Sequence, residues 1–271
     1  MRRATATLFA LLLCAVASAQ TVVRLPGTKA TLECYDAAHP IAAVVVCPGG
    51  SYSWLDYKVE GVEVAKWLQG HGIAAYVLRY RVQGWWAWAT HYRLVFRGNR
   101  FPDPLYDAEA ALDWLAMHAD SLGIDPTRIG IMGFSAGGHL SMLSTYTRQP
   151  AFVAPIYPVV TMRHESCHTR SRRALLGEYG QFRQQLRDSL SLEEHVRPDC
   201  PPVFLVNCVD DPVVDYRNSV LLDSALTANH VPHIYIQYRT GGHGFGMSDS
   251  RSTAECRPWR EEFLKWLKTI L

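Results

Sequence analysis

Short apolar runs recur along the chain, separated by longer amphipathic stretches. Residues 41–47, 128–132, 203–208 and 232–238 are too short for buried helices, rich in β-branched and aromatic side chains, and bounded by turn residues. Such runs read as strands, and the near-continuous apolar ones as strands buried on both faces. Further strands are expected near Ala75 and Phe152. Between them, residues 60–69, 104–118, 136–146, 216–229 and 258–270 have helical spacing. The alternation predicts the α/β class, with a mostly parallel sheet covered by helices on both faces. Its site should lie at the carboxyl ends of the strands.

The turn chemistry at those ends is distinctive. Gly133-Phe134-Ser135-Ala136-Gly137 follows a strand and opens a helix. In that context the pentapeptide reads as a nucleophile elbow, with Ser135 on a sharp turn and the Ala136 amide at a helix start, where it can meet a developing oxyanion. In hydrolases of this design an acid and then a histidine follow, each after a strand. Here the run 203–208 leads into Asp210-Asp211-Pro212, and 232–238 leads into Gly241-Gly242-His243-Gly244. His243 suits a general base because an imidazole titrates near working pH. Asp210, Asp211 and Asp215 compete to orient it. Asp211, next to Pro212 at the turn, is preferred, with Asp210 bracing the loop and Asp215 capping the next helix.

Other histidines fit less well. His230 and His233 fall at a helix end and in a strand, and His139, in the helix after Ser135, is expected to brace the elbow. No metal is expected. Upstream, Pro48-Gly49-Gly50-Ser51-Tyr52 follows the strand 41–47. This turn is expected to supply a second oxyanion amide from Gly50 or Ser51.

Together, Cys47-Pro-Gly-Gly-Ser-Tyr52, Val77-Leu-Arg-Tyr-Arg-Val82, Gly133-Phe-Ser-Ala-Gly-Gly-His-Leu140, Asp210-Asp-Pro-Val-Val214 and Gly241-Gly-His-Gly-Phe-Gly246 resemble the α/β-hydrolase esterases related to acetylxylan esterases and prolyl oligopeptidases. The resemblance spans nearly all of residues 20–271. It implies the α/β-hydrolase fold and a catalytic set of Ser135, Asp211 and His243. Relatives often carry a third glycine where this chain has Ser51.

The first 19 residues read as a secretory signal: Arg2 and Arg3, an apolar core at 8–17, and a small-residue cleavage site at Ala17-Ser18-Ala19. Export to the periplasm or outside the cell is therefore expected, with residues 20–271 forming one domain. The chain carries 27 basic and 25 acidic side chains, and cleavage would leave no net charge, which argues against nucleic acid and anionic membranes as partners. Six cysteines would remain. Cys47 and Cys208 end central strands and read as buried thiols, whereas Cys167 and Cys256 are the better candidates for a bridge.

Two segments exceed ordinary connections. Residues 84–101 interleave Trp85, Trp86, Trp88, Tyr92, Phe96 and Phe101 with Arg93, Arg97 and Arg100. They could form a sugar-facing wall, with Tyr52, Trp86 and Trp88 as candidate substrate contacts, or simply pack the insert onto the body. Residues 161–173 are polar and basic, and read either as a border of the substrate pocket or as a solvated loop. The expected function is that of an exported serine esterase removing acetyl or another small acyl group from carbohydrate, without a cofactor. A prolyl oligopeptidase-like peptidase and a catalytically silent glycan-binding protein are the alternatives.

Overall fold

The computed structural model describes residues 21–90, 98–163 and 165–271. The expected signal segment, residues 91–97 of the aromatic insert and the side chain of Trp88 lie outside what is described. Eight strands, β1 (Thr21–Arg24), β2 (Thr31–Tyr35), β3 (Ala42–Cys47), β4 (Ile73–Arg79), β5 (Ile129–Phe134), β6 (Val153–Ile156), β7 (Val203–Cys208) and β8 (His233–Tyr238), form one sheet. The order is β1-β2-β4-β3-β5-β6-β7-β8. β1 and β2 pair antiparallel, as do β2 and β4, and every later pairing is parallel.

Every residue of β3, β5 and β7 is buried because both sheet faces are covered. Val45, Ile131 and Leu205 point into one core with Leu112 and Leu115 of α3 (Asp103–Leu122), Leu140 of α4 (Ala136–Ser144) and Leu222 and Leu226 of α7 (Arg217–Ala228). Val44, Val46, Met132, Phe204 and Val206 point into the other, with Val64 and Leu68 of α1 (Glu63–Gly70) and Phe263 and Trp266 of α8 (Trp259–Ile270). The alternation of faces along fully apolar strands is what two covering layers require. α8 shows the complementary pattern, burying Trp259, Phe263, Trp266 and Leu267 on one stripe. Removing one such ring from the core costs about 3–5 kcal/mol.

The remaining helices are α2 (Trp85–Ala89), α5 (Thr169–Gly180) and α6 (Gln184–Ser189). α5 begins inside the segment 161–173, and Thr161, Met162, Ser166 and Cys167 before it are buried, so a solvated loop is not what forms there. Side chains anchor its backbone in place of a ladder. Asn218 Oδ1 accepts from the amides of Val160 and Thr161, and Ser191 Oγ accepts from that of Met162.

The expected pairing of Cys167 with Cys256 is corrected by the structure. Both are buried free thiols, and Cys256 lies instead against Cys208. A methyl group placed on Gly241 would strike the Cys208 and Cys256 sulfurs at 2.4 and 2.8 Å, so the two thiols share one pocket beneath that residue. The hydrogen bond from Cys208 holds the Cys256 thiol below its ordinary range. Cys47 and Cys208 are buried at the ends of β3 and β7, as the strand pattern predicts.

Candidate active site

At the end of β5 the chain turns abruptly into α4 through Ser135, whose backbone has φ 54° and ψ −118°. This conformation costs a non-glycine residue roughly 1–3 kcal/mol and persists only where neighbours enforce it. The Ser135 amide donates to Ile156 O at 3.0 Å, and its carbonyl accepts from His139 N at 3.1 Å and Val159 N at 3.2 Å. Gly137 must be glycine, since a Cβ there would lie 2.0 Å from the carbonyl oxygen of Cys47.

The ends of β7 and β8 bring the acid and the imidazole to this turn. His243 Nε2 is 2.8 Å from Ser135 Oγ, and His243 Nδ1 is 2.6 Å from Asp211 Oδ2. An ionised carboxylate only accepts, so it fixes the Nδ1–H tautomer and leaves Nε2 to accept the serine proton. The Asp211 side chain is 1 % exposed and that of His243 is 12 %, which keeps most water away while leaving the ring reachable. Its other oxygen accepts from the amides of Val213 and Val214, at 2.8 and 2.9 Å.

The three competing aspartates have separate positions. Asp210 accepts from the amides of Gly241 and Gly242, at 2.9 and 2.8 Å, and so braces the loop that carries His243. Asp215 accepts from Arg217 N at 2.9 Å, at the start of α7. His139 is buried, with Nδ1 2.7 Å from the Tyr52 hydroxyl and Nε2 2.9 Å from Leu190 O. Burial drives its basicity down to about 4, so it is neutral scaffolding behind the elbow.

The loop after β3 lies directly against the serine. A Cβ on Gly49 would come within 2.9 Å of Ser135 Cβ and 2.8 Å of Phe134 O. Gly50 and Ser51 both have positive φ, 130° and 56°. Among the described residues, the amides of Gly50, Ser51 and Ala136 have no hydrogen-bond acceptor. Amides turned this way beside a serine hydroxyl can receive a negatively charged oxygen.

Tyr52 must be corrected as a substrate contact. Its ring is 1 % exposed and its hydroxyl is engaged by His139, so it packs behind the loop rather than facing a ligand. Trp86 is different, at 66 % exposed, and its ring meets that of Trp85 at 5.1 Å. Trp88 lies in the same short helix. A cation stands near the loop after β3, where the Arg170 guanidinium lies 5.8 Å from the Trp54 ring centre. Among the described residues no group of three or more His, Cys, Asp or Glu side chains is placed to hold a metal ion.

A sequence pattern for the dienelactone hydrolase family matches residues 100–271, well over half of the chain and all three of Ser135, Asp211 and His243. The chain belongs to the dienelactone hydrolase family. A second pattern, BD-FAE, matches residues 43–153 and takes in the loop after β3 and the turn at Ser135. Family membership and the β-strand order agree on the α/β-hydrolase fold.

Relatives narrow the comparison. The chain is 33% identical over 226 residues to an acetylxylan esterase of Xylanibacter ruminicola, covering 80% of this chain and 44% of that protein. It is 28% identical to endo-1,4-beta-xylanase B of Butyrivibrio fibrisolvens, covering 76% of this chain and 33% of that one. The chain thus spans less than half the length of these two curated relatives. Among solved structures, an acetyl ester-xyloside bifunctional hydrolase from Caldicellulosiruptor lactoaceticus superposes with a TM-score of 0.79 at 31% identity, covering 90% of this chain and 89% of that one.

Glu60 is the site residue that sequence reasoning passes over. In the first turn of a predicted helix, an acid looks like a solvated partner of the helix dipole. In the structure it is buried, on a π-helical turn at Lys58–Val62, and accepts from the Gly49 amide at 2.7 Å. No local pattern distinguishes the two outcomes. Only the packing of the turn against the loops carrying Gly49 and His243 turns the side chain inward.

Proposed function

We propose that the protein is an exported serine esterase that removes acetyl or similarly small acyl groups from carbohydrate. The observation that carries this reading is the unbroken contact from Ser135 Oγ through His243 to Asp211, at 2.8 and 2.6 Å. In the proposed reaction Ser135 Oγ attacks the ester carbonyl as its proton passes to His243 Nε2, and Asp211 stabilises the imidazolium. The oxyanion is received by the Ala136 amide and by those of Gly50 and Ser51. Collapse of the tetrahedral intermediate expels the alcohol, which takes its proton from His243. Water then attacks the acyl-enzyme, losing a proton to His243, and the acid leaves with Ser135 restored. Every proton is returned within the triad, so no cofactor is required.

The carbohydrate part rests on two supports. The acetylxylan esterase and the acetyl ester-xyloside hydrolase are named for such substrates. In addition, exposed Trp86 offers an apolar surface on which a sugar ring can stack. Export rests on the signal-like segment 1–19. The test is a series of 4-nitrophenyl esters of increasing acyl length, followed by acetate release from acetylated xylo-oligosaccharides. Preference for acetate and release from the glycan are expected. A preference for long acyl chains, or no release of acetate from any glycan, would contradict the substrate assignment.

A further inference from the structure

Glu60 belongs to neither the triad nor the oxyanion loop, yet its carboxylate touches the supports of both. Oε2 accepts from the amide of Gly49 at 2.7 Å, and Oε1 accepts from the Tyr157 hydroxyl at 2.8 Å. The Tyr157 oxygen in turn accepts from the amide of Gly246 at 3.0 Å, three residues beyond His243. The Tyr157 ring itself packs on the His243 ring, with centres 4.8 Å apart. A Cβ on Gly49 would lie 2.6 Å from Oε2 and 2.9 Å from Ser135 Cβ, so carboxylate, loop and serine are in direct succession. Val59 O also accepts from Met247 N at 3.3 Å, fastening the same turn to the histidine loop.

We propose that Glu60 is a positioning residue that sets the oxyanion loop and the histidine loop in register around Ser135, and that it does so as a carboxylate. The inference rests on the serine-esterase reading of the site. Both oxygens of an ionised carboxylate accept, which matches one amide and one hydroxyl pointing at them. A proton on Oε2 would oppose the Gly49 N–H. A proton on Oε1 would oppose the Tyr157 O–H, whose oxygen already accepts from Gly246 and whose surroundings are buried. The protonated side chain therefore supports only one of the two loops well.

Burial makes that loss accessible near neutral pH. Desolvation pushes the Glu60 pKa up to about 7, and Asp56 adds to it. His243, the Tyr157 hydroxyl and the Gly49 amide pull the other way. Among the described residues, Arg251, paired with Asp56, and the buried Tyr80 also act on it. Glu60→Gln imitates the protonated state at all pH values while keeping the volume.

The experiment is the pH profile of kcat and KM for 4-nitrophenyl acetate, measured on the wild type, Glu60→Gln, Tyr157→Phe and the double variant. Glu60→Gln should lower kcat by about 10- to 100-fold, short of the full loss of an oxyanion donor, with KM within about threefold. The acid limb of the wild type should be steeper than one protonation gives, and that of Glu60→Gln should have the single-proton slope. Losses in the double variant should not multiply, because both act through one network. A Glu60→Gln variant with wild-type kcat and an unchanged acid limb would overturn the inference, as would multiplicative losses. If Glu60→Gln does not fold, judged by circular dichroism, Tyr157→Phe decides: an unaltered kcat and slope reject the network. A wild type active on the ester and dead as Ser135→Ala, but indifferent to Glu60→Gln, removes this inference alone. A wild type inactive on every ester removes both readings.

Discussion

Asp211 Oδ2 stands 2.6 Å from Nδ1 of His243, while its chain neighbour Asp210 turns away to hold the backbone of Gly241 and Gly242. Two adjacent carboxylates thus act on one loop, one on the imidazole and the other on the peptide that carries it. Asp211→Asn should lower kcat for 4-nitrophenyl acetate by about 10⁴-fold, since an amide donor at that position favours the wrong tautomer. Asp210→Asn should lose far less, on the order of tenfold, through loosening of the loop. Steady-state kinetics of both variants decides, and the reverse ranking would transfer the orienting role to Asp210.

Ser51 presents a different question, because its backbone is left-handed with φ 56° and its side chain is almost fully buried. If only its amide serves the oxyanion, Ser51→Gly should leave kcat within a few-fold. Relief of the left-handed backbone, worth about 1–2 kcal/mol, is offset in part by the greater freedom of glycine when unfolded. A loss on the order of 10²-fold would show that the hydroxyl itself contributes, since that is the effect of deleting a donor.

Substrate recognition is tested through Trp86. Its ring is 66 % exposed, so Trp86→Ala should barely change the melting temperature. It should weaken kcat/KM on acetylated oligosaccharides while sparing 4-nitrophenyl acetate, because only the glycan draws binding energy from remote contacts. Equal losses on both substrates, with a lowered melting temperature, would make the insert a packing element instead.

Buried titratable groups contribute to stability against pH in opposed senses. His139 is held neutral, its basicity lowered by burial from 6.5 to about 4, so the unfolded chain binds the extra proton between those values. Its contribution is therefore lost as pH falls through that window, by about 3 kcal/mol. Burial raises Glu60 from 4.5 to about 7, and there the folded chain holds the extra proton. The Glu60 contribution is thus present below 4.5 and lost as pH rises through 7. His168, lowered to about 4 by burial, acts in the same sense as His139. Between pH 4.5 and 6.5 the melting temperature of Glu60→Gln should rise more steeply with pH than that of the wild type, and that of His139→Gln less steeply. Thermal melts across that range check both slopes, and parallel curves for all three proteins would contradict the assignment.

Much of this architecture is readable in the chain itself. The apolar runs of β3, β5 and β7 and the stripe on α8 carry enough pattern to locate the two-sided sheet. The glycine-rich turns after those strands bring Ser135, Asp211 and His243 to the same edge. β1 and β2 escape because they are short, antiparallel and partly exposed, with polar Glu33 among their residues. The buried placement of Tyr52 and Glu60 is not legible in the sequence, for a common reason. Each sits in a loop or first turn where polarity suggests solvent, and only a distant partner, His139 for one and Tyr157 for the other, draws it inside. The cysteines fail similarly, since which sulfurs meet depends on how the segment before α8 crosses beneath Gly241.

The central claim, that Ser135 is the nucleophile of an ester hydrolase, is tested most directly by comparing kcat/KM for 4-nitrophenyl acetate in the wild type and Ser135→Ala, with circular dichroism as the control for folding. The account predicts measurable turnover in the wild type and a loss of about 10⁴- to 10⁶-fold in a folded variant. Wild-type turnover from folded Ser135→Ala would contradict it.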